Sequence, residues 1–441
     1  MTSATFGAIS ELAPAIFPDF AVDFSDGNGT ANLIGPDKGI TGERTYCDQD
    51  RMYIAADGQP RIGFDHDRMR WGLRRDVGSE NLVSRSQFEI DQWSFTTVAT
   101  ERCAHNVAGF LLPSERCSTM DYRGEANSYV RATIAASINY VAGSWYTASV
   151  FFKNLDPTGV DVRLRHAAEP FGGYQDATYL AANDSVAMSS GSSADSIVGL
   201  EKYPDGWRRL TITSLCTVGG NFRGPLLWPG GARPGRFLFG GFQLEKLGFS
   251  TSYIPKSTAT AVRGNERGVF AMLPAGVLVG ANSGTIWTDH CIQTRLQGSA
   301  VGIAGFDRVP ATAPYISAAA TFGVAMPLQQ AARLYFSGRD SVPGNPAAPQ
   351  NLPDERRDTF CASWDNDAKA LELCHLYGHI RADPIGIVPT FPGMDPAMSA
   401  DRMCLGSMHS ATSFIATGWI YGVRLYRRKL TRDQIMEEVG L

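Results

Sequence analysis

Several short constellations in this 441-residue chain could do chemistry. Asp65-His66-Asp67 places two carboxylates around an imidazole, the raw material of a metal site or an acid–base pair. In a strand, neighbours alternate sides, so the three converge only with ligands from elsewhere; the plainer alternative is a turn at a module boundary. Cys374, His375 and His379 suit zinc only on a helix, where residues four apart share a face. The alternating run that holds them ends in Tyr377-Gly378 and reads as strand then turn. Asp365 and Asp367 could bind Ca²⁺ through their oxygens, or act as hairpin-turn acids that accept backbone N–H groups. No nucleophile elbow, P-loop or H-E-x-x-H motif occurs. The aromatic residues Trp228, Tyr174 and Phe171 lie in Gly/Pro-rich, loop-like segments. There an exposed ring could stack on a sugar or pack against another subunit. Trp93, Trp145, Trp207 and Trp419 lie on strand patterns that suit a core.

Strands must position these groups. Trp145–Lys153 alternates, with Tyr146, Ala148 and Val150 on one face and Thr147, Ser149 and Phe151 on the other. In 159–166, Val160, Val162 and Leu164 point inward while Asp161, Arg163 and Arg165 point outward. Asp205-Gly206 turns the chain into a strand with Trp207, Leu210 and Ile212 as core. Residues 185–196 are rich in Ser, Gly and Ala and read as a loop. Asp57-Gly58 predicts a hairpin between 52–55 and 60–64. Another hairpin is expected over 357–377, turning at Asp365-Asn366-Asp367. Near the C-terminus a strand precedes a short helix that starts at a capping box, Thr431 with Gln434; Leu430, Ile435 and Val439 can face the sheet.

Composition narrows the class. The 44% hydrophobic and 19% charged residues are a globular mixture, and 46 Gly with 24 Pro fit many short strands and turns. A net charge of -4 gives no field that favours nucleic acid. Seven of the 40 basic residues are Lys, an Arg excess that follows from anion recognition or from a GC-rich genome. The N-terminus lacks a basic segment and an unbroken apolar core, so no secretory signal is expected. The longest apolar stretch, 269–281, is broken by Pro274 and Gly276, so no membrane insertion is expected. The 8 cysteines form no CxxC pair; buried thiols are expected, with Cys103–Cys117 and Cys361–Cys374 as alternative hairpin bridges.

Gly241, Gln243, Leu244, Glu245, Gly248, Thr251, Ser252, Tyr253, Ile254 and Pro255 resemble the closing strand of a carbohydrate-binding-like jelly-roll module common in bacteriophage virion proteins. Tyr53–Asp67, then Glu80, Asn81, Leu82, Val83 and Ser86, resemble the lead-in to that module, and the segment that starts at Asp205-Gly206-Trp207 resembles one of its strands. Residues 417–440 resemble the closing segment of laminin-G/concanavalin A-like lectin domains. The departure is at Tyr421-Gly422, where that family often has Asp-Glu. The resemblance covers about 50–255 for the first family and about 270–441 for the second.

The expected architecture is all-β: two antiparallel β-sandwich domains, jelly-roll and lectin-like, with an irregular N-terminal region. The segments expected are 1–75 for that region, 76–255 for the jelly roll, 256–268 for a linker and 269–441 for the lectin-like sandwich. The resemblance implies a non-enzymatic virion component assembled in the host cytoplasm: a tail fibre, head fibre or decoration subunit that adheres to host-surface glycan. The N-terminal region would contact other virion proteins, and a homo-oligomer, trimeric in many phage fibres, is expected. No cofactor is expected beyond Ca²⁺ at Asp365 and Asp367. The alternatives are a depolymerase or glycosidase acting on host polysaccharide, and a purely capsid- or tail-stabilising protein with no ligand.

Overall fold

The computed structural model describes residues 18–83 apart from 19, 25–26, 28–32, 35–43 and 57–58; 93–95; 103–124; 130–132; 137–255 apart from 190, 194 and 232; and 417–438. Between 261 and 406 it describes the strands named below, with 273, 282, 366–368 and 406 beside them. Antiparallel strands dominate, arranged as two β-sandwiches.

In the first sandwich one sheet runs, in spatial order, Ile197–Lys202, Arg208–Leu215, Trp145–Asn154, Gly235–Glu245, Cys117–Tyr122 and Cys103–Val107. The other runs Ser185–Met188, Gln175–Leu180, Val162–His166, Leu226–Pro229, Val130–Ala132 and Trp93–Phe95. The expected alternation holds. Tyr146, Ala148, Val150, Leu210 and Ile212 from the first sheet meet Val162, Leu164, Ala177 and Leu227 from the second, all buried. Burial on that scale contributes about 1.5–3 kcal/mol per large side chain. Residues 185–188, expected in a loop, form an edge strand paired with 177–180. Ser and Ala at a sheet edge carry too little apolar signal to announce it.

The strand Gly235–Glu245 shifts register against Trp145–Asn154 between Ser149 and Phe151. Gly241 sits there at φ +58°, and a Cβ would come within 2.6 Å of the Phe110 ring and 2.8 Å of Phe151. Only glycine fits both constraints.

The second sandwich departs from expectation. One sheet runs Arg381–Ile387, Ala370–Tyr377, Asp358–Asp365, Ser283–Ile292, Gly418–Tyr426, Arg70–Arg75 and Arg61–Asp65, with Phe20–Asp23 also paired to Gly418–Tyr426. The other runs Leu33–Ile34, Phe270–Met272, Arg402–Leu405, Val301–Asp307, Ile316–Phe322, Gln330–Phe336 and Arg339–Asp340. The segment expected to be irregular thus supplies strands to both sheets: Phe20 lies opposite Leu425, Leu73 opposite Ile420, and Leu33 opposite Ala271. These strands are two to six residues long and their partners lie far along the chain, so no local pattern reveals the pairing. Val22, Phe24 and Leu73 are fully buried.

The Asp57-Gly58 hairpin is also corrected. Met52–Ile54 pairs back onto Thr45–Cys47, and Arg61–Asp65 pairs forward onto Arg70–Arg75; residues 57–58 lie outside the described residues. The hairpin of 358–365 with 370–377 forms as expected. So does the capping box: the Thr431 amide donates to Gln434 Oε1 (2.9 Å) and the Gln434 amide to Thr431 Oγ1 (3.3 Å), opening the helix Arg432–Glu438. Leu430 and Ile435 are buried; Val439 lies outside the described residues. Among the described residues no helix is long and apolar enough to cross a membrane. Cys47, Cys117, Cys216, Cys291, Cys361 and Cys404 are buried free thiols, so neither Cys117 nor Cys361 is bridged.

Ser79–Asn81 pairs with Ala261–Arg263. This two-stranded neck is where the chain leaves the second sandwich and returns to it, so the first sandwich is an insertion in the second. Beside the neck, Asp76 is fully buried among Arg61 Nη2 (2.6 Å), Arg74 Nη2 (3.3 Å), Arg263 Nη1 (3.7 Å) and the Ser252 amide (3.3 Å). Burial alone would raise its carboxyl; the Arg74, Arg263 and Arg61 guanidinium groups outweigh that and hold it well below the usual carboxylate range. Ser252 Oγ accepts from both Arg61 and Arg263 (2.7 and 2.8 Å).

Two predictions follow from this joint. Asp76→Asn removes the charge that three buried guanidiniums share and is expected to cost about 3–5 kcal/mol in urea denaturation. A chain starting at residue 76 leaves Gly418–Tyr426 unpaired on one side. It is expected to aggregate or lose its cooperative calorimetric transition; a sharp native-like melt would refute the shared sheet.

Candidate functional site

The outer faces of the first sandwich differ. On the sheet holding Trp145–Asn154, Phe151, Trp207 and Leu238 are covered by Cys47, Met52, the 110–112 loop and Tyr253. On the opposite sheet, Arg163 and Arg165 alternate outward between buried Val162, Leu164 and His166. Register sets Arg165 beside Asp176, and Arg163 beside Thr178 and Trp228.

Arg165 donates through Nε and Nη2 to both oxygens of Asp176, the latter at 2.5 Å. The ion pair fixes the guanidinium plane between two rings, 4.1 Å from Trp228 and 4.3 Å from Tyr174. Arg163 donates from Nε to Thr178 Oγ1 and from Nη2 to the Gly230 carbonyl, both at 3.2 Å, and lies 5.6 Å from the Trp228 ring. Tyr174 is 55% exposed. The short helix Ala168–Phe171 ends at Gly172 in the left-handed region, and Gly173 follows at φ +150°. That turn carries the next residue out to solvent.

Two of the three aromatic candidates therefore meet, Tyr174 and Trp228, joined through Arg165. Phe171 does not. It is 4% exposed and packs on His166 (4.3 Å), Tyr140 (5.5 Å) and Tyr146 (6.3 Å) inside the core. The Gly-rich surroundings suggest a loop, but the single helical turn rotates Phe171 inward. Arg165 and Asp176 were missed as site residues. The outward phase of Arg165 was legible, whereas the cross-strand neighbour that makes it a site depends on register. Chemically the stack offers a rigid aromatic face with fixed donors at its edge, which suits a sugar's apolar ring face and hydroxyls.

The acidic candidates resolve differently. Asp365 Oδ1 accepts the amides of Asp367 and Ala368, each at 3.0 Å, and Asp367 Oδ2 accepts from Asn282 Nδ2 at 2.5 Å. Both thus act as turn acids. The strand Ala370–Tyr377 removes the helical spacing that zinc would need at Cys374 and His375; their side chains and His379 lie outside the described residues. No group of three metal-ligating side chains occurs among the described residues. Trp207 is buried as expected, Trp145 and Trp419 are half-buried, and the Trp93 side chain lies outside the described residues.

Asp65-His66-Asp67 forms the turn between two strands of the second sandwich, and its side chains diverge. Asp65 accepts from Tyr421 Oη (2.5 Å) and Arg68 Nη1 (3.2 Å). His66 Nε2 meets the Asp48 carbonyl (2.7 Å), and Asp67 accepts the Lys202 amide (3.1 Å) of the first sandwich. The turn pins the sandwiches together and borders a junction pocket of ≈ 60 Å³, lined also by Glu201, Tyr203, Tyr253 and Trp419. Burial lowers the His66 pKa. The Asp67 residue is exposed overall, yet burial of its carboxyl, then the Glu201 charge, push it up to about 6.

No family model and no curated protein matches the chain. Among solved structures, a candidate carbohydrate binding protein from Bacteroides ovatus is 12% identical with TM-score 0.25, covering 70% of this chain and 77% of that one. Mouse laminin alpha1 domains LG4-5 are 11% identical with TM-score 0.20, covering 72% and 94%. The NanB sialidase of Streptococcus pneumoniae is 12% identical with TM-score 0.25, covering 36% of this chain. The chain spans 24% of that sialidase's length. Likenesses at this level carry no activity to this chain.

The Asp67 carboxyl gives a pH prediction. A raised folded-state pKa means that the folded protein holds the proton more tightly than the unfolded chain. The ionised form therefore costs stability above about pH 6, and the cost fades as pH falls from there toward the ordinary carboxylate value. Asp67→Asn is expected to melt higher than wild type at pH 7.5 and equal to it near pH 3.5, read by differential scanning calorimetry.

Proposed function

We propose that this chain is a non-enzymatic adhesion component of a bacteriophage particle, a fibre or decoration subunit that binds host-surface glycan. The observation that carries the glycan part is the Tyr174–Arg165–Trp228 stack on the outer face of a sandwich sheet. The setting rests on the resemblance of 241–255 to the closing strand of phage virion modules. Attachment to other virion proteins and association of copies into a symmetric oligomer belong to this proposal. With strands of 20–75 committed to the second sandwich, attachment falls to surfaces of the folded unit or to residues before them.

A second reading, a depolymerase cutting host polysaccharide, is favoured by one observation. The junction pocket is lined by both Asp67, whose carboxyl is pushed up to about 6, and Glu201, and a pair of carboxyls is what glycoside hydrolysis uses.

One set of measurements separates these readings. Adhesion predicts that the isolated protein binds glycans on an array and whole host cells. It also predicts that Tyr174→Ala lowers that binding at least tenfold with an unchanged melting temperature, since the ring is exposed. Shortening of host capsule or lipopolysaccharide, abolished by Asp67→Asn, would establish the depolymerase. Absence of both binding and cleavage leaves a particle-stabilising protein, and immunogold labelling of intact particles reads the setting independently.

A further inference from the structure

We propose that the Tyr174–Arg165–Trp228 face takes an acidic saccharide, one whose sugar carries a carboxylate; this rests on the glycan-binding reading of the same face. The argument is a count of hydrogen-bonding groups. Among the described side chains, Asp161, Arg163, Arg165 and Asp176 are the charged ones around this stack, and register sets Arg131 on the same side of the sheet, opposite Leu226. The four described charges sum to zero, so what matters is which of their groups remain open to a ligand.

Most of the acceptors are used internally. Asp176 is almost wholly buried and takes two donors from Arg165. Asp161 Oδ1 takes the Ala181 amide at 2.8 Å, and its Oδ2 lies beside Gly231. Thr178 Oγ1 is shared between Arg163 Nε and Ser189 Oγ.

The donors are not used up. Arg165 spends Nε and Nη2 on Asp176, and Arg163 spends Nε on Thr178 and Nη2 on the Gly230 carbonyl. Among the described residues, neither Nη1 makes a hydrogen bond. Arg163 Nη1 lies 3.9 Å from Asp176 Oδ2, beyond hydrogen-bond reach. The two side chains are 28% and 20% exposed.

A face whose acceptors are mostly engaged and whose charged donors are open selects a ligand rich in acceptors. Residues two apart on a strand lie about 7 Å from each other. One Nη1 can therefore take a sugar carboxylate while the other takes a ring or hydroxyl oxygen of the same ligand. Charge-assisted bonds to carboxylate are about twice as strong as neutral ones. Arg163 has the looser carboxylate partner, so it contributes most to the preference for acid; Arg165, clamped by Asp176, mainly supports the ring.

The test uses the full chain in affinity electrophoresis through gels containing polygalacturonate, alginate or hyaluronate. Each is matched with the same polymer after chemical reduction of its carboxylates to alcohols, and dextran sulfate is the charge-only control. At least one uronate polymer is expected to retard the protein roughly tenfold more strongly than its reduced counterpart, with dextran sulfate weaker. Arg163→Gln is expected to erase that preference, and Tyr174→Ala to weaken binding to both forms. The preference of the wild type should fall with added NaCl. Melting temperatures equal to wild type confirm that the variants are folded. Equal retardation by a polymer and its reduced form, or retardation by dextran sulfate as strong as by uronates, overturns the proposal and leaves the adhesion reading standing. Retardation by none of these polymers, together with no binding on a glycan array, removes the adhesion reading as well.

Discussion

The buried carboxylate of Asp76 is the constraint on which the arrangement of the two sandwiches depends. It stands just before the neck, so its partners come from every segment that passes there: Arg61 and Arg74 from the strands before it, Ser252 from the closing segment of the inserted sandwich, and Arg263 from the returning strand. An isolated carboxylate or guanidinium would be too costly to bury. Any displacement of one sandwich relative to the other would leave such a charge unpaired, so the cluster specifies position more than it adds stability.

This explains the closing segment residue by residue. Thr251 donates to Glu245 through both its amide and its hydroxyl, and its carbonyl accepts from buried Arg209. Ser252 serves the Asp76 cluster. Tyr253 donates its hydroxyl to Glu115, while its carbonyl accepts from Thr45 of the second sandwich's lead-in. The Ile254 amide donates to Gln243, and its carbonyl accepts from Asn81 at the neck. Gln243, Glu245, Thr251, Ser252, Tyr253 and Ile254 therefore satisfy buried polar groups at the joint. The motif that marks the module in sequence is a structural latch, and none of these residues belongs to the open aromatic face.

Legibility in the sequence followed how local each feature is. The strands of the first sandwich could be read because Val160, Val162 and Leu164 alternate with Asp161, Arg163 and Arg165 whatever their partners are. The 358–377 hairpin and the 431–434 capping box are equally local, and both are present. What failed was long-range. Leu73 pairs with Ile420 and Phe20 with Leu425, and a four-residue strand carries no mark of so distant a partner. The site was half legible for the same reason. Composition drew attention to Tyr174 and Trp228, but Arg165, which joins them, is a matter of register. Phe171 misled because one helical turn reverses the direction that its neighbours suggest.

The two outer faces of the inserted sandwich divide the work. One is consumed by the joint: Phe151, Trp207 and Tyr253 pack with Phe110 in a cluster of edge-to-face rings that also takes in Cys47 and Met52 from the second sandwich. Apolar contact on that face and the Asp76 cluster beside it hold the module in one orientation. The opposite sheet is left to present Arg163, Arg165, Tyr174 and Trp228. Because the core between the sheets is filled by large, fully buried side chains, that face is backed by a rigid layer. Its guanidinium groups are held by carboxylate, hydroxyl and carbonyl acceptors before any ligand arrives, so little ordering cost remains for binding. A face held this way, turned away from the joint that positions it, can vary in its exposed residues without disturbing the latch.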